Sequence, residues 1–124
     1  MTLTLYGIPN CDTVKKAREW LTDHGITVVF HDYKKAGVDA AALDRWIAEV
    51  GFEPLLNRRG TTFRALSDAD KADIDAAKAR ALMIANPSLI KRPVVEWPLA
   101  QGPLITVGWD AQAWAQHASA MQNV

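Results

Sequence analysis

The sequence predicts an α/β fold built around a small mixed sheet. Three observations carry that reading: an opening with the pattern of strand, helix and strand, a helix-rich middle, and two extended runs before one last helix. Leu3, Leu5 and Tyr6 make a short β-prone run that stops at the turn formers Gly7-Ile8-Pro9-Asn10. From Cys11 the period changes. Val14, Ala17, Trp20 and Leu21 recur at helical spacing among polar Lys15, Lys16, Arg18 and Glu19, and Gly25 supplies the stop.

Ile26 to Phe30 is rich in β-branched residues and predicts a second strand that runs on through His31-Asp32-Tyr33 until Lys34-Lys35-Ala36-Gly37 break it. A helix between two short strands makes the pair parallel, with a right-handed crossover. Asp39 is placed to cap a helix carrying Leu43, Trp46, Ile47 and Val50, which Gly51 ends. Leu55 to Arg64 is basic and turn-bearing, and the alanine-rich stretch Ser67 to Ala85 predicts one or two further helices. After Asn86-Pro87, the runs Arg92-Pro93-Val94-Val95-Glu96 and Leu104-Ile105-Thr106-Val107-Gly108 flank Ala100-Gln101-Gly102-Pro103 and read as a hairpin. Asp110 then opens a terminal helix through Trp114, His117 and Ala118. Without repeats, low-complexity tracts or linkers, residues 1–124 are expected to form one domain.

Composition narrows the function classes. Lysine plus arginine and aspartate plus glutamate both total 14, so no excess positive field exists to hold nucleic acid or an acidic membrane surface. No run approaches the roughly 20 apolar residues of a membrane span, and the first residues lack the pattern of a secretory signal. A cytoplasmic protein is expected. The single cysteine excludes an intramolecular disulfide, so any thiol chemistry needs a second sulfur from another molecule.

That cysteine lies where a strand ends and a helix begins. Unpaired amides and the positive end of the helix dipole there favour a thiolate, which is the form that acts as nucleophile. Thr13 is a candidate hydroxyl donor to the sulfur, Lys15 and Lys16 are candidate sources of positive field, and Asp12 opposes ionisation if close. Polar Asn10, Asp12 and Thr13 on either side argue for an exposed Cys11 rather than a buried, inert one.

Three segments together, Tyr6-Gly7-Ile8-Pro9-Asn10-Cys11-Asp12-Thr13, Leu55-Leu56-Asn57-Arg58-Arg59-Gly60-Thr61-Thr62 and Ile90-Lys91-Arg92-Pro93, resemble the arsenate reductase (ArsC)/Spx family, and most closely its YffB-like branch of thiol reductases. The resemblance covers essentially the whole chain. It implies a thioredoxin-like fold with an inserted helical region, Cys11 as the catalytic cysteine, Arg59 and Arg92 as basic active-site residues, and Pro93 as the cis-proline beside the thiol. Guanidinium groups suit these roles because they bind carboxylates and oxyanions at two points and stabilise a nearby thiolate. A cis X-Pro bond also exposes the Arg92 main chain to an extended peptide such as glutathione.

The resemblance therefore implies a glutathione-dependent thiol reductase. Glutathione is the expected co-substrate, with no bound cofactor, and glutathione or a glutaredoxin is the partner that resolves the covalent adduct on Cys11. Asn10, Thr13, Arg59, Arg92 and Pro93 are its expected binding residues. Two departures from the family pattern shape the alternatives. Arsenate reductases carry a further arginine near the region of Thr106-Val107-Gly108-Trp109, which here holds none, and this argues against arsenate as the substrate. Spx regulators have a Cys-x-x-Cys switch, whereas Val14 stands at the second cysteine position, so only a non-catalytic adaptor binding RNA polymerase remains of that reading.

Other constellations carry less. His24, His31 and His117 are too scattered to predict a metal site. Arg58 and Arg64 read as a solvated basic face, and the five tryptophans as core anchors rather than cofactor stackers.

Overall fold

The computed structural model describes residues 2–122. In chain order the elements are β1 (Thr2–Gly7), α1 (Asp12–Asp23), β2 (Thr27–Asp32), α2 (Tyr33–Ala36), α3 (Ala40–Val50), α4 (Phe52–Leu55), α5 (Thr61–Arg64), α6 (Asp68–Lys71), α7 (Ala76–Ala85), a 3-10 turn (Pro87–Leu89), β3 (Val94–Leu99), β4 (Gly102–Val107) and α8 (Ala111–Gln122). The described residues form two compact units, one from residues 2–32 and 92–122, the other from 33–91.

The first unit holds a four-stranded sheet in the order β2-β1-β3-β4. β1 pairs in parallel with β2, Leu5 opposite Phe30, and antiparallel with β3, Leu5 opposite Val95. β3 and β4 make the expected hairpin, closing between Leu99 and Gly102. The sheet is thus mixed, and the fold is thioredoxin-like with a helical segment inserted between β2 and β3.

Period-two burial in β1 sends Leu3, Leu5 and Gly7 to one face, and α1 covers that core with Val14, Ala17 and Leu21 at spacings of three and four. Each fully buried aliphatic side chain contributes about 1.5–3 kcal/mol through burial. α8 adds Trp114, Ala118 and Met121 to the same cluster. The tryptophans do act as core anchors: Trp97 and Trp109 meet Trp114 edge to face, with ring centroids 5.2 and 4.7 Å away. Buried Trp97 satisfies its indole N–H on Thr106 Oγ1 at 2.9 Å.

The second unit is helical. α3 and α7 contribute Ala42, Leu43, Trp46, Ala79, Leu82 and Met83, and these pack with Tyr33, Leu55, Leu56, Leu89 and Ile90, all buried. An exposed ion pair, Arg80 to Asp44, links α7 to α3.

Several boundaries differ from the sequence expectation. Tyr33 does not extend β2; it opens a single helical turn that turns its ring into the second unit's core. Asp39 stands at the N-cap of α3 but its side chain makes no capping hydrogen bond, while Ser67 and Asp75 cap α6 and α7 by accepting from the Asp70 and Lys78 amides. The stretch from Ser67 to Ala85 does hold two helices, within the one or two expected, parted near Asp73 with φ +52°.

Candidate active site

Cys11 occupies the N-cap of α1 with extended backbone, φ −96° and ψ 123°. Its carbonyl accepts from the Lys15 amide at 3.0 Å, and its own amide donates to the Ile8 carbonyl at 3.4 Å. The close approach of β1 to α1 sets this corner. A Cβ on Gly7 would lie 2.8 Å from Val14 Cγ2, so glycine is the residue that lets the strand end beside the helix start.

The side chain of Cys11 is half-buried. A neutral thiol is a weak acceptor and makes no capping hydrogen bond here, whereas a thiolate is a strong one. Partial burial alone would raise the thiol's pKa. Against it act the Val14 amide, the hydrogen bond and charge of the Arg92 guanidinium, and the Thr13 amide, and together they hold Cys11 below the ordinary thiol range.

The first unit therefore brings Cys11, Thr13 and Arg92 together. Thr13 contributes its amide, in place of the hydroxyl expected from sequence. The positive field comes from Arg92 and not from Lys15 or Lys16, whose side chains are exposed on α1. Asn10 is exposed in the turn before Cys11, and Pro93 is buried behind a cis Arg92-Pro93 peptide at the head of β3.

Arg59 belongs to the second unit. There the segments Leu55–Asn57 and 89–91 are stitched together: the Asn57 amide donates to the Leu89 carbonyl at 2.8 Å and the Lys91 amide to the Leu55 carbonyl at 2.7 Å, around a bridge of Leu56 with Ile90. The buried Tyr33 hydroxyl donates to the Ile90 carbonyl at 2.8 Å. Beside this bridge opens a cleft of about 520 Å³, lined by Glu53, Asn57, Arg58, Arg59 and Lys91 over Pro54 and Leu56.

The loop that presents Arg59 is fixed locally. The Arg59 amide donates to Asn57 Oδ1 at 3.1 Å, and Arg64 Nη2 donates to the Arg59 carbonyl at 2.8 Å. Arg58 is engaged by Glu53 at 3.5 Å and lies over the Phe63 ring at 5.9 Å. The guanidinium of Arg59 and the ammonium of Lys91 have no hydrogen-bond or ion-pair partner among the described residues. Glu53 and Lys91 escaped the sequence reading, although Lys91 stands inside the Ile90-Lys91-Arg92-Pro93 segment that it singled out.

Among the described residues, no three His, Cys, Asp or Glu side chains gather as a metal site, and no helix is long and apolar enough to cross a membrane. The histidines sit against aromatic rings instead: His24 on Trp20, His31 on Tyr6 and His117 on Trp97.

Comparison with known proteins adds a family. The model of the ArsC family matches residues 6–116. The solved structure of the YffB (PA3664) protein is 52% identical, with 94% of this chain and 98% of that one covered and a TM-score of 0.87. The solution structure of an arsenate reductase (ArsC) related protein from Brucella melitensis is also 52% identical, covering 94% and 93% of the two chains with a TM-score of 0.71. Among curated relatives, an uncharacterised protein of Haemophilus influenzae is 44% identical over 75% of this chain and 82% of its own length. The global transcriptional regulator Spx of Streptococcus mutans is 28% identical over 75% of this chain and 69% of its own.

Proposed function

Because the chain belongs to the ArsC family and has its arsenate reductase-like fold, we propose that it is a cytoplasmic, glutathione-dependent thiol reductase whose nucleophile is Cys11. The observation that carries this reading is the stabilised sulfur at the head of α1, flanked by the Val14 and Thr13 amides and the Arg92 guanidinium. Such stabilisation raises the thiolate fraction at neutral pH above that of an ordinary thiol.

In the first step the Cys11 thiolate attacks one sulfur of an oxidised substrate, a new S–S bond forms, the old one breaks, and the substrate leaves as a thiolate. In the second, the thiolate of glutathione or of a glutaredoxin attacks the mixed disulfide and releases Cys11. The disulfide this leaves between the external thiol and the retained half of the substrate is opened by a second external thiol, so two thiols end as one disulfide and two electrons pass to the substrate. The second sulfur must be external because the chain has one cysteine. Arg92 favours the charged sulfur before attack and after release, Arg59 and Arg92 hold carboxylates of glutathione, and Asn10, Thr13 and Pro93 shape its thiol end. This reading treats residues 1–124 as one working domain with no bound cofactor.

Mass spectrometry after incubation with oxidised glutathione tests it. One glutathionyl group is expected on Cys11 and none on Cys11→Ser; a folded wild-type protein that stays unmodified overturns the proposal. The likeness to Spx favours a second reading, an adaptor that binds RNA polymerase. A polymerase complex that survives Cys11→Ser supports the adaptor, and thiol-dependent turnover supports the reductase.

A further inference from the structure

The second unit's cleft has a charge pattern more specific than a basic patch. Two cations on its wall, Arg59 and Lys91, have no partner among the described residues, and an exposed carboxylate, Glu53, lines the same space. Arg58 engages Glu53 at 3.5 Å, a distance at the loose end of ion pairing, and a carboxylate has lone pairs for several donors. A phosphate or sulfate, negative on every side, would gain from the cations but be repelled by Glu53. A ligand with adjacent negative and positive ends uses all three groups.

The frame of the cleft is already built. The Leu56–Ile90 bridge with its two flanking amide bonds, and the Tyr33 hydroxyl on the Ile90 carbonyl, fix the main chain under Asn57 and Lys91 before any ligand arrives. At about 520 Å³ the space is within the usual range of small-molecule sites.

We propose that this cleft receives an amino-acid head group, its carboxylate on Arg59 and Lys91 and its α-ammonium on Glu53. With glutathione as co-substrate, which this inference takes from the reading above, the head group is that of the γ-glutamyl residue. Lys91 and Glu53 are then binding residues that set which end of the tripeptide enters.

The test is an NMR titration of ¹⁵N-labelled full-length protein with S-methylglutathione, whose blocked thiol cannot form a disulfide. A des-amino analogue carrying glutaryl in place of γ-glutamyl serves as the second probe. The amides of Asn57, Arg59 and Lys91 should shift, and Lys91→Gln should weaken both probes about three- to fivefold, the scale of one exposed ion pair. Glu53→Gln should weaken S-methylglutathione by a similar factor and leave the des-amino probe unchanged or tighter.

Equal weakening of both probes by Glu53→Gln, or shifts confined to residues outside the cleft, overturns the inference. Failure here and failure of the reductase reading are separable. A mixed disulfide on Cys11 without cleft shifts removes the head-group site and leaves the reductase, cleft shifts without a mixed disulfide do the reverse, and neither signal removes both.

Discussion

Replacing Arg92 by glutamine removes one hydrogen bond and one full charge from the sulfur while the Val14 and Thr13 amides remain. A hydrogen bond to a charged group is worth about 1.5–3 kcal/mol, and the half-buried site places it at the low end, since solvent screens the charge. About 1.4 kcal/mol is a factor of about ten in the ionisation constant, and in the thiolate fraction wherever most of the thiol is still protonated. The rate falls by less than that. A more basic thiolate is intrinsically more nucleophilic, and a Brønsted slope of about 0.4–0.5 returns a factor of nearly three. The expected loss with an uncharged disulfide such as hydroxyethyl disulfide is therefore about three- to fourfold at pH values below both ionisations.

At alkaline pH, where both proteins are fully ionised, the order inverts and Arg92→Gln reacts nearly three times faster. The two pH–rate curves must cross. Stopped-flow measurement across the pH range reads this directly, and the uncharged probe keeps Arg92 from acting through attraction of the reagent. Arg92→Lys, which keeps the charge without the planar fork, should fall between. Superimposed profiles of wild type and Arg92→Gln, with folding intact by near-UV circular dichroism, would refute the assignment of Arg92 as a stabiliser of the thiolate.

Gly7→Ala forces a methyl onto Val14 and should cost about 1–3 kcal/mol in urea unfolding; with Val14→Ala beside it the double variant should lose less than the sum of the singles, and strict additivity would exclude the clash. Tyr33→Phe leaves the Ile90 carbonyl without its buried donor and should destabilise by about 1–3 kcal/mol, whereas an unchanged urea midpoint would show the bond to be inconsequential. Burial lowers the His117 pKa against an opposing pull from Asp110, so the unfolded chain takes up that proton first. Stability should accordingly decline as pH falls through the ordinary imidazole range near about 6.5, and His117→Phe, which keeps a ring against Trp97, should flatten the decline in thermal melts.

Most of the first unit was legible because its signals are local. Gly7-Ile8-Pro9-Asn10 marks the strand end, and the spacing of Val14, Ala17 and Leu21 marks the helix, so Cys11 was placed at its N-terminus from a window of a dozen residues. The one-turn helices Tyr33–Ala36 and Phe52–Leu55 escaped because four residues are too few to display a period. Asp39 has the right residue type for a cap, but side-chain geometry, not type, decides whether the bond is made.

The site divides the same way. Local pattern points to Cys11, and the resemblance adds Arg59, Arg92 and Pro93. Reading the residues alone put the positive field on Lys15 and Lys16, because only neighbours are visible in a linear window, while the observed source lies at the far end of the inserted segment. Lys91 and Glu53 share a cleft only because Leu56 bridges Ile90, a pairing that no local pattern encodes.

The order of strands β2-β1-β3-β4 puts the earliest strand in the middle and brings the Arg92 segment to it last. On the ribosome, β1, α1 and β2 emerge long before β3, so the nascent chain carries a sulfur with helix amides but without its guanidinium. Full stabilisation of the sulfur as a thiolate is thus a property of the finished molecule. Contacts of such long sequence separation carry a loop-closure cost, and until this one forms the sulfur lacks the Arg92 charge.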